Sequence, residues 1–462
     1  MPARDVIECI GPSYHLDDRK AAVQSAVNCY MEQIEGLGEQ RQLTQVSAPG
    51  LVQIAALGAE VRGMRNVNGR WFVVAGATLF EVTATGDATT RGVLTTTTGF
   101  VGMSHNALQL CVVDGPRNYV LSLGSNVLTI ISSNGWRGSD DVAELDGYGI
   151  FVVANTEQFY ISKNDDFSTF NASDFSSADS QPDKIITQRV LHRELWLLGE
   201  ISSEIWVDSG EIAFPFARYN SVTLDIGVVG KRAAIVAADS LVWIGNTARG
   251  SGIVYIAQGH RPQRISTRAV EQSLAKSTDL SAATMWTYQV DGHEFIGINA
   301  PGLKSTWVYD AAIQQWHERA EWVSGWKQGR VTHVCSYAGA QFAGDAVGTL
   351  YRIDSTAYTN AGDPLVRERT WPHRISQSMQ PITFNALQLA CSTGSGGNVS
   401  LELSNDGGAT FGPPLLRSLG AVGRFMQRIR WMPLGTAFDR VFRLRCSDAV
   451  AFNIHAAVLE TP

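Results

Sequence analysis

The feature that most constrains the fold of this chain is a β-hairpin that recurs along its first 355 residues. Each copy combines a polar turn, an apolar strand, a loop and a second strand that carries an aromatic residue, as in NGRWFVVAGATLFEV from Asn68 and DGYGIFVVANTEQFYIS from Asp146. The aromatic positions are separated by 39 to 54 residues. They are Phe80, Tyr119, Tyr160, Trp206, Tyr255, Tyr309 and Tyr351.

A spacing of this size is typical of propeller blades, each built from four short strands. A β-sandwich would show turn signals every 8–12 residues without a longer period. Seven aromatic positions therefore predict an all-β fold with a propeller of about seven blades. The alternative is a chance likeness among β-hairpins, which share much of their pattern.

After Ser355 the pattern changes to short alternating runs at the spacing of a sandwich, such as NALQLACS and VSLELSND. We predict a segment at residues 1–53 that contributes to propeller closure, a propeller at 54–355 and a β-sandwich at 356–462. Val270, Leu274 and Ala275 have helical spacing and predict a short helix between blades. Residues 17–34 fit either a helix or an extended segment.

Charge divides the chain in the same place. Residues 356–462 hold 10 arginines, no lysine and 7 acidic residues, whereas the preceding 355 residues hold 27 basic and 37 acidic side chains. The overall net charge of −7 argues against a general nucleic-acid binder. Scattered cysteines without a CxxC spacing predict buried thiols rather than zinc ligands or disulfides. They are Cys9, Cys29, Cys111, Cys335, Cys391 and Cys446.

The stretch SNDGGATF fits the S-x-D-x-G-x-T-F pattern of an Asp-box hairpin, in which an aspartate accepts hydrogen bonds from amides of its own turn. The pattern residues are Ser404, Asp406, Gly408, Thr410 and Phe411. A structural role is the main interpretation, and proximity to a sugar site is the alternative. A looser copy, SKNDDFSTF, begins at Ser162.

Arginines alternate with apolar residues in two runs near the end of the chain. Strand periodicity places them on the outer face of the sandwich, as a solvated face or as a docking stripe for an acidic protein surface or the DNA backbone. These arginines are Arg428, Arg430, Arg443 and Arg445. Catalytic signatures fail when tested: the HExxH pattern from His293 or His317 meets Gly297 or Glu321 at its last position. We predict no enzyme activity, cofactor or metal.

Several segments resemble the packaged-DNA stabilisation proteins, or tail hub proteins, of short-tailed bacteriophages. GHEF, TWVYD and WHER carry the resemblance in the repeats, with VNCYMEQ, APGL, SQPDKI, LWLLGEISSEIW and RAVEQSL in the same order along the chain. In the last domain, LELSNDGGATFG, LGAVGRFMQRIRW and RVFRLRC are similar to the closing sandwich of that family. Residues 83–131 contribute little to the resemblance.

The resemblance implies a structural protein of the virion tail, assembled in the bacterial cytoplasm. Such proteins form a ring, usually of six copies, below the portal and its adaptor ring. They extend the DNA channel, help to retain the packaged genome until ejection, and support needle, tailspike or fibre proteins. Passing double-stranded DNA is a partner without sequence specificity, and an acidic propeller would discourage it from sticking. A glycan-binding or glycoside-hydrolysing propeller and an intracellular WD-repeat scaffold are the competing functions.

Overall fold

A computed structural model describes residues 3–34, 42–115, 117–376, 378 and 380–462. The chain begins with six strands, which are divided between the propeller and the sandwich. They are β1 (Ala3–Ile7), β2 (Tyr14–His15), β3 (Val23–Val27), β4 (Cys29–Ile34), β5 (Gln42–Ser47) and β6 (Gly50–Ala56). Residues 17–34, for which helix and extended chain were both possible, contain no helix and include two of these strands.

The first four blades that follow are antiparallel sheets of four strands each. Blade one contains β7 (Val61–Val67), β8 (Arg70–Ala75), β9 (Thr78–Val82) and β10 (Ala88–Val93). Blade two contains β11 (Gly102–His105), β12 (Gln109–Asp114), β13 (Arg117–Ser122) and β14 (Leu128–Ile130). Blade three contains β15 (Asp141–Leu145), β16 (Tyr148–Val152), β17 (Gln158–Lys163) and β18 (Asp166–Ser177). Blade four contains β19 (Ile185–Leu191), β20 (Glu194–Gly199), β21 (Ser203–Asp208) and β22 (Phe216–Leu224).

Three more blades complete the ring. Blade five contains β23 (Gly227–Val228), β24 (Ala234–Ala237), β25 (Ser240–Thr247), β26 (Gly250–Gln258) and β27 (Arg261–Arg264). Helix α1 (Arg268–Leu274) and a 3₁₀ turn (Leu280–Ala282) precede blade six, which contains β28 (Thr284–Val290), β29 (His293–Asn299), β30 (Thr306–Asp310), β31 (Gln315–Trp322) and β32 (Trp326–Gln328). Blade seven contains β33 (Val331–Tyr337), β34 (Ala340–Asp345) and β35 (Thr349–Asp354).

The ring closes through strand β6, which pairs antiparallel with β35 and becomes the fourth strand of blade seven. Strand β6 thereby covers an edge that would otherwise expose unpaired backbone groups. The described residues thus form seven blades, which confirms the predicted propeller. Six of the seven aromatic positions lie in the third strand of their blades. The seventh, Tyr255, lies in β26, which is third in blade five when β23 and β24, which both pair with β25, are counted as one strand.

Apolar side chains of neighbouring blades pack against each other around the ring. One cluster joins Phe72 and Val74 of blade one to Leu110 and Val112 of blade two. Similar clusters join blades two and three, three and four, and seven and one. Because each blade buries one face on its neighbour, the core is a closed series of sheet-on-sheet contacts.

The remaining strands follow two short ones, β36 (Thr359–Asn360) and β37 (Asp363–Pro364), and form the predicted sandwich with the N-terminal strands. They are β38 (Arg367–Thr370), β39 (Arg374–Ile375), β40 (Ile382–Phe384), β41 (Ala386–Cys391), β42 (Asn398–Ser404), β43 (Leu415–Ser418), β44 (Ile429–Trp431), β45 (Gly435–Ala437), β46 (Asp439–Cys446) and β47 (Ile454–Thr461). One sheet has the order β4-β5-β47-β41-β44, with β1 beside β47. The facing sheet contains β3, β38, β46, β42 and β43 in that order.

The N-terminal segment therefore contributes β6 to the propeller and most of its other strands to the sandwich sheets. The boundaries at residues 53 and 355 stay a prediction. The predicted helix is confirmed as α1, and Thr267 caps it by accepting a hydrogen bond from the Val270 amide. Each of the six cysteines is a free thiol, and Cys391 is the one that is partly exposed. Neither helix in the described ranges has the length and hydropathy needed to cross a membrane.

Two-residue turns connect the first and second strands of most blades, with both residues at positive φ. Asn68–Gly69, Asp146–Gly147 and Asp291–Gly292 have the residues that such type I′ turns favour. Blade four instead uses His192 and Arg193, at φ of 52° and 63°. Both residues carry a Cβ atom, so this turn is strained where the Asn–Gly turns are not.

We expect the double substitution His192→Asn with Arg193→Gly to stabilise the chain by about 1–2 kcal/mol, because it relieves left-handed strain at two positions. The ion pairs it removes are His192–Asp239, in which both side chains are exposed, and Arg193–Asp146, in which the arginine is exposed and the aspartate is partly buried. Pairs with such exposed partners contribute little. Denaturant unfolding measures the change. The reverse exchange at Asn68–Gly69 is the control and should destabilise by a similar amount. Equal midpoints for all three proteins would contradict the strain argument.

Candidate functional site

A densely hydrogen-bonded polar region joins the propeller to the sandwich. Strand β31 of blade six pairs in parallel with β3, with Val27 opposite Glu318. Strand β3 pairs on its other side with β38, where Val27 is opposite Glu368. Blade six and one sheet of the sandwich are therefore a single continuous hydrogen-bonded sheet, and we call this region the junction.

Asn28 holds the centre of the junction. Its side-chain amide donates to the carbonyl oxygens of Ala320 at 2.7 Å and Val366 at 2.8 Å, and its Oδ1 accepts from the Ala320 amide at 3.1 Å. Its own amide donates to the Glu318 carbonyl at 2.8 Å. The residue is 1% exposed and has a φ of 54°, a conformation that asparagine tolerates better than most residues. One side chain thus connects the propeller, the N-terminal segment and the sandwich.

Buried ionisable groups add a second layer of contacts. The Glu318 carboxylate faces His15 Nε2 at 3.1 Å and accepts from Ser305 Oγ at 2.6 Å. The Glu318 carboxylate raises the pKa of His15, which favours a charged imidazole. Glu318 is 5% exposed, and the alternating pattern of the WHER segment does not predict its burial.

His293 links blade six to strand β4. Its Nδ1 lies 2.7 Å from Asp310 Oδ2 and its Nε2 lies 2.8 Å from Glu32 Oε2. Burial alone would lower the pKa of His293, but the two carboxylates outweigh it and raise the pKa above its usual value. Because both ring nitrogens face carboxylates, the ring donates both hydrogen bonds as an imidazolium.

Three of the ten C-terminal arginines are buried inside the sandwich. Arg369 donates to the carbonyl oxygens of Cys9 at 2.9 Å, Pro12 at 3.1 Å and Ser25 at 3.1 Å, and so ties down the N-terminal segment. Arg440 donates to the Leu434 carbonyl, and Arg367 donates to carbonyls of the 446–450 loop. These three arginines therefore stabilise the interior of the sandwich and do not contribute to its surface charge.

The four arginines of the predicted docking stripe do not share one surface. Arg428 and Arg430 lie at β44, and Arg443 and Arg445 lie on β46 of the opposite sheet. The expectation of one basic stripe is therefore wrong, because the two runs fold into different sheets with their apolar residues facing the common core.

Within the described part of the chain, three of these arginines are paired with carboxylates. Arg430 contacts Glu460 at 2.5 Å, and Arg443 bonds to Glu402. Arg445 contacts Glu368 at 2.7 Å, and its guanidinium lies over the ring of Trp322 at 4.6 Å. Arg445 therefore belongs to the junction. A docking role stays a prediction for this set.

Arg428 differs from the other three. It is exposed, and its guanidinium donates to Gln388 Oε1 at 2.9 Å. Phe425 and Met426 beside it are 75% and 95% exposed.

The Asp-box residues meet in one tight turn. Asp406 accepts hydrogen bonds from the Thr410 amide at 3.0 Å, the Thr410 hydroxyl at 2.5 Å and the Ser404 hydroxyl at 2.7 Å. These donors hold the pKa of Asp406 well below its usual value. Gly408 has a φ of 82°, and a Cβ there would lie 2.4 Å from Val23. Phe411 packs under Arg443, whose guanidinium lies 3.6 Å from the ring centre. This geometry favours the structural interpretation of the box.

No group of three or more His, Cys, Asp or Glu residues suited to a metal ion occurs among the described residues.

Family models identify the protein family to which this chain belongs. The family model described as "Bacteriophage P22 Gp10, beta-propeller" matches residues 23–358, and the one described as "Bacteriophage P22 Gp10, beta-sandwich" matches residues 369–461. The chain belongs to the bacteriophage P22 Gp10 family. It is a bacteriophage structural protein, and the resemblance predicted from the sequence is confirmed.

The chain is also similar, at low sequence identity, to several solved structures. The structure described as "YCF48 bound to D1 peptide" has 12% identity and a TM-score of 0.42, and the match covers 67% of this chain and 98% of that chain. The WD40 propeller domain of Doa1 has 12% identity and a TM-score of 0.40, covering 66% and 97%. BamB from Moraxella catarrhalis has 14% identity and a TM-score of 0.38, covering 72% and 100%. No curated protein matches the chain significantly.

We expect Asn28→Ala to destabilise the chain by about 2–4 kcal/mol, because it removes three buried hydrogen bonds and places alanine in a left-handed conformation. Thermal and denaturant unfolding measure the loss. Asn155→Ala is the matched control: Asn155 has a φ of 59° and an exposed side chain, so its replacement reports the conformational cost alone. Equal losses for the two variants would show that the junction bonds of Asn28 contribute nothing.

The raised pKa of His293 predicts that part of the stability depends on pH. A histidine whose folded pKa is raised contributes stability that is fully present below its unfolded value of about 6.5 and is lost as pH rises through the folded value. The difference in melting temperature between wild type and His293→Gln should therefore shrink from pH 6 to pH 9. His455, whose pKa burial lowers, should show the opposite trend when replaced by glutamine. A difference that stays constant with pH would contradict a charged His293.

Proposed function

We propose that this chain is a tail hub, or head-to-tail connector, of a short-tailed bacteriophage. In this role it extends the DNA channel below the portal and its adaptor ring, helps to retain packaged DNA and supports genome ejection. The observation that carries the proposal is the junction, where one hydrogen-bonded sheet runs from blade six through β3 into the sandwich. A connector must keep its upper and lower contacts in a constant relation, and such a sheet makes the propeller and the sandwich one stiff unit.

The partners follow from this role: further copies of the chain in a ring of about six, the portal-adaptor ring, and needle, tailspike or fibre proteins. A closed ring requires a heterologous contact that rotation brings back on itself. Contacts that are individually weak become strong together when a ring presents them at once. The excess of acidic residues before residue 356 would limit adhesion of passing DNA.

For attachment to the adaptor ring we propose the surface around Arg428, with Phe425 and Met426. Exposed aromatic and methionine side chains beside an arginine are the composition of interface centres. Of the four predicted stripe residues, Arg428 is the one without a carboxylate partner among the described residues. Its charge is therefore available to an acidic partner.

Loss of the protein from the phage tests the retention role. We expect capsids assembled without it to fill with DNA and then lose it, giving empty and non-infectious heads. Complementation with the wild-type protein should restore full particles. DNA content per particle is the measurement, and stable full heads without the protein would remove genome retention from its function.

Arg428→Glu tests the docking surface. The charge reversal should weaken co-sedimentation with portal-adaptor rings, and raised salt should weaken the wild-type contact in the same way, because salt screens such contacts. Arg249→Glu, in the exposed turn between β25 and β26, is the control and should bind normally. Undiminished binding of the Arg428→Glu variant would show that Arg428 is an ordinary solvated side chain without a docking role.

A further inference from the structure

Two histidine–carboxylate contacts cross the boundary between blade six and the N-terminal segment. His15 Nε2, in β2, lies 3.1 Å from Glu318 Oε1, in β31. His293 Nε2, in β29, lies 2.8 Å from Glu32 Oε2, in β4. The histidine belongs to the N-terminal segment in the first pair and to blade six in the second. Both contacts therefore break if the segment separates from the blade.

Backbone pairing holds the N-terminal segment more firmly to the sandwich than to blade six. Strand β3 has three residues opposite β38, whereas Val27 and Glu318 are the one opposed pair that β3 and β31 form among the described residues. Strand β4 has six residues opposite β5 in the sandwich sheet. Main-chain bonds also cross to the blade from the Ser13 amide to the Trp316 carbonyl and from the Asn28 amide to the Glu318 carbonyl, each at 2.8 Å. Because this ladder is so short, side-chain contacts contribute a large share of the attachment to blade six.

The ring of His293 is fixed between two carboxylates. Its Nδ1 lies 2.7 Å from Asp310 Oδ2, and Tyr30 of β4 meets the ring edge-on at 5.1 Å between ring centres. Burial raises the pKa of Tyr30, so the phenol is neutral. Burial, together with nearby positive charge, lowers the pKa of His317 to about 3, so this second imidazole of blade six is neutral as well. The charged groups that face the His293 ring among the described residues are therefore Asp310 and Glu32.

A neutral imidazole has a single N–H and cannot donate to both of these carboxylates. Loss of the proton leaves one carboxylate facing a ring lone pair, and the exposure of the two groups decides which one. The Asp310 side chain is fully buried within blade six, whereas that of Glu32 is 34% exposed and can be solvated by water. Leaving the buried carboxylate without its donor would cost more. Deprotonation of His293 therefore keeps the contact inside the blade and breaks the contact with β4.

His15 responds to pH in the same direction. The charge of Glu318 raises the pKa of His15 in spite of burial, and the positive charges of Lys276 and Arg19 oppose this increase without cancelling it. Lys276 is itself paired with Asp17. When the His15 ring becomes neutral, it loses the charge that attracts the buried Glu318 carboxylate.

Both contacts therefore weaken over the same pH range. The folded pKa of each histidine is raised above the unfolded value of about 6.5. The stabilisation from each charged ring is fully present below the unfolded value and is lost as the pH rises through the folded value.

We propose that His15 and His293 form a proton-dependent latch between the N-terminal segment and blade six. With both rings charged, the latch is closed, and the propeller and the sandwich are held as one unit. With both rings neutral, β3 and β4 keep their places in the sandwich sheets and separate more often from the blade. In a tail connector the latch would regulate how firmly the propeller and the sandwich are joined, and only this consequence rests on the proposed function.

Hydrogen exchange of the full chain between pH 6 and pH 9, corrected for the intrinsic pH dependence of exchange, tests the latch. The informative amides are those of Ser13, Asn28 and Ala320, which donate across the boundary. We expect their opening constants to rise with pH, by up to about tenfold for each unit by which a folded pKa is raised. Amides of β12 in blade two are the control and should not change. A constant opening at the boundary, or an equal rise in blade two, would overturn the proposal.

Substitution of the two histidines tests their assignment. The double substitution His15→Gln with His293→Gln removes both titrating rings, so the boundary amides should lose their pH dependence. His192→Gln is the matched control: its ring is 58% exposed and contacts Asp239, and its loss should leave the wild-type dependence in place. A pH dependence that persists in the double variant would overturn the latch. Because exchange is measured on the chain alone, that result would leave the connector proposal standing.

If the double variant fails to fold, Glu32→Gln decides the matter. Glu32 is partly exposed, and its replacement leaves the contact between His293 and Asp310 in place. The Asn28 amide should then exchange faster than in the wild type at pH 6 and should vary less between pH 6 and pH 9. Exchange identical to the wild type at both pH values would overturn the assignment of His293 to the latch.

Discussion

The pairing of β6 with β35 is the interaction on which the rest of the structure depends. It connects Gly50 with Asp354 and Ala56 with Thr349, residues about 300 positions apart in the sequence. The first residue of β6 has no room for a side chain, because a Cβ at Gly50 would lie 2.4 Å from the carbonyl oxygens of Ala357 and Thr359. Without this strand, blade seven would have an open edge and blade one would lose the neighbour on which its core packs.

Closure also explains the path of the N-terminal segment. The chain must leave the sandwich and reach the rim of blade seven at Gly50, so the strands before it lie along the outer strand of blade six and among the sandwich strands. Asn28 and His293 act at this crossing, one through neutral hydrogen bonds and the other through charge. The propeller and the sandwich are consequently coupled twice: by the linker at residues 355–366 and by the N-terminal segment.

Whether an arginine is paired depends on its position in the fold and not on the net charge of its domain. In the sandwich, Arg367, Arg369 and Arg440 donate to main-chain carbonyls, and Arg430, Arg443 and Arg445 pair with carboxylates. In the propeller, whose sequence is acidic overall, four arginines line a cavity of about 460 Å³ between the blades, and two of them, Arg65 and Arg232, have no contacting carboxylate among the described residues. Net charge counted along the sequence therefore did not predict where arginines without an ion pair lie.

The sequence by itself determined the all-β class, the propeller followed by a sandwich, the recurring aromatic positions and helix α1. These follow from local alternation, turn residues and a repeat period, which need no knowledge of distant contacts. Only the tertiary structure decided that Arg428 and Arg443 lie on opposite sheets, that Glu318 is buried against His15, and that Arg65 and Arg232 face one cavity. Each of these depends on strands brought together from distant parts of the chain, and a pattern of period two gives the face of a strand but not the neighbour that the face meets.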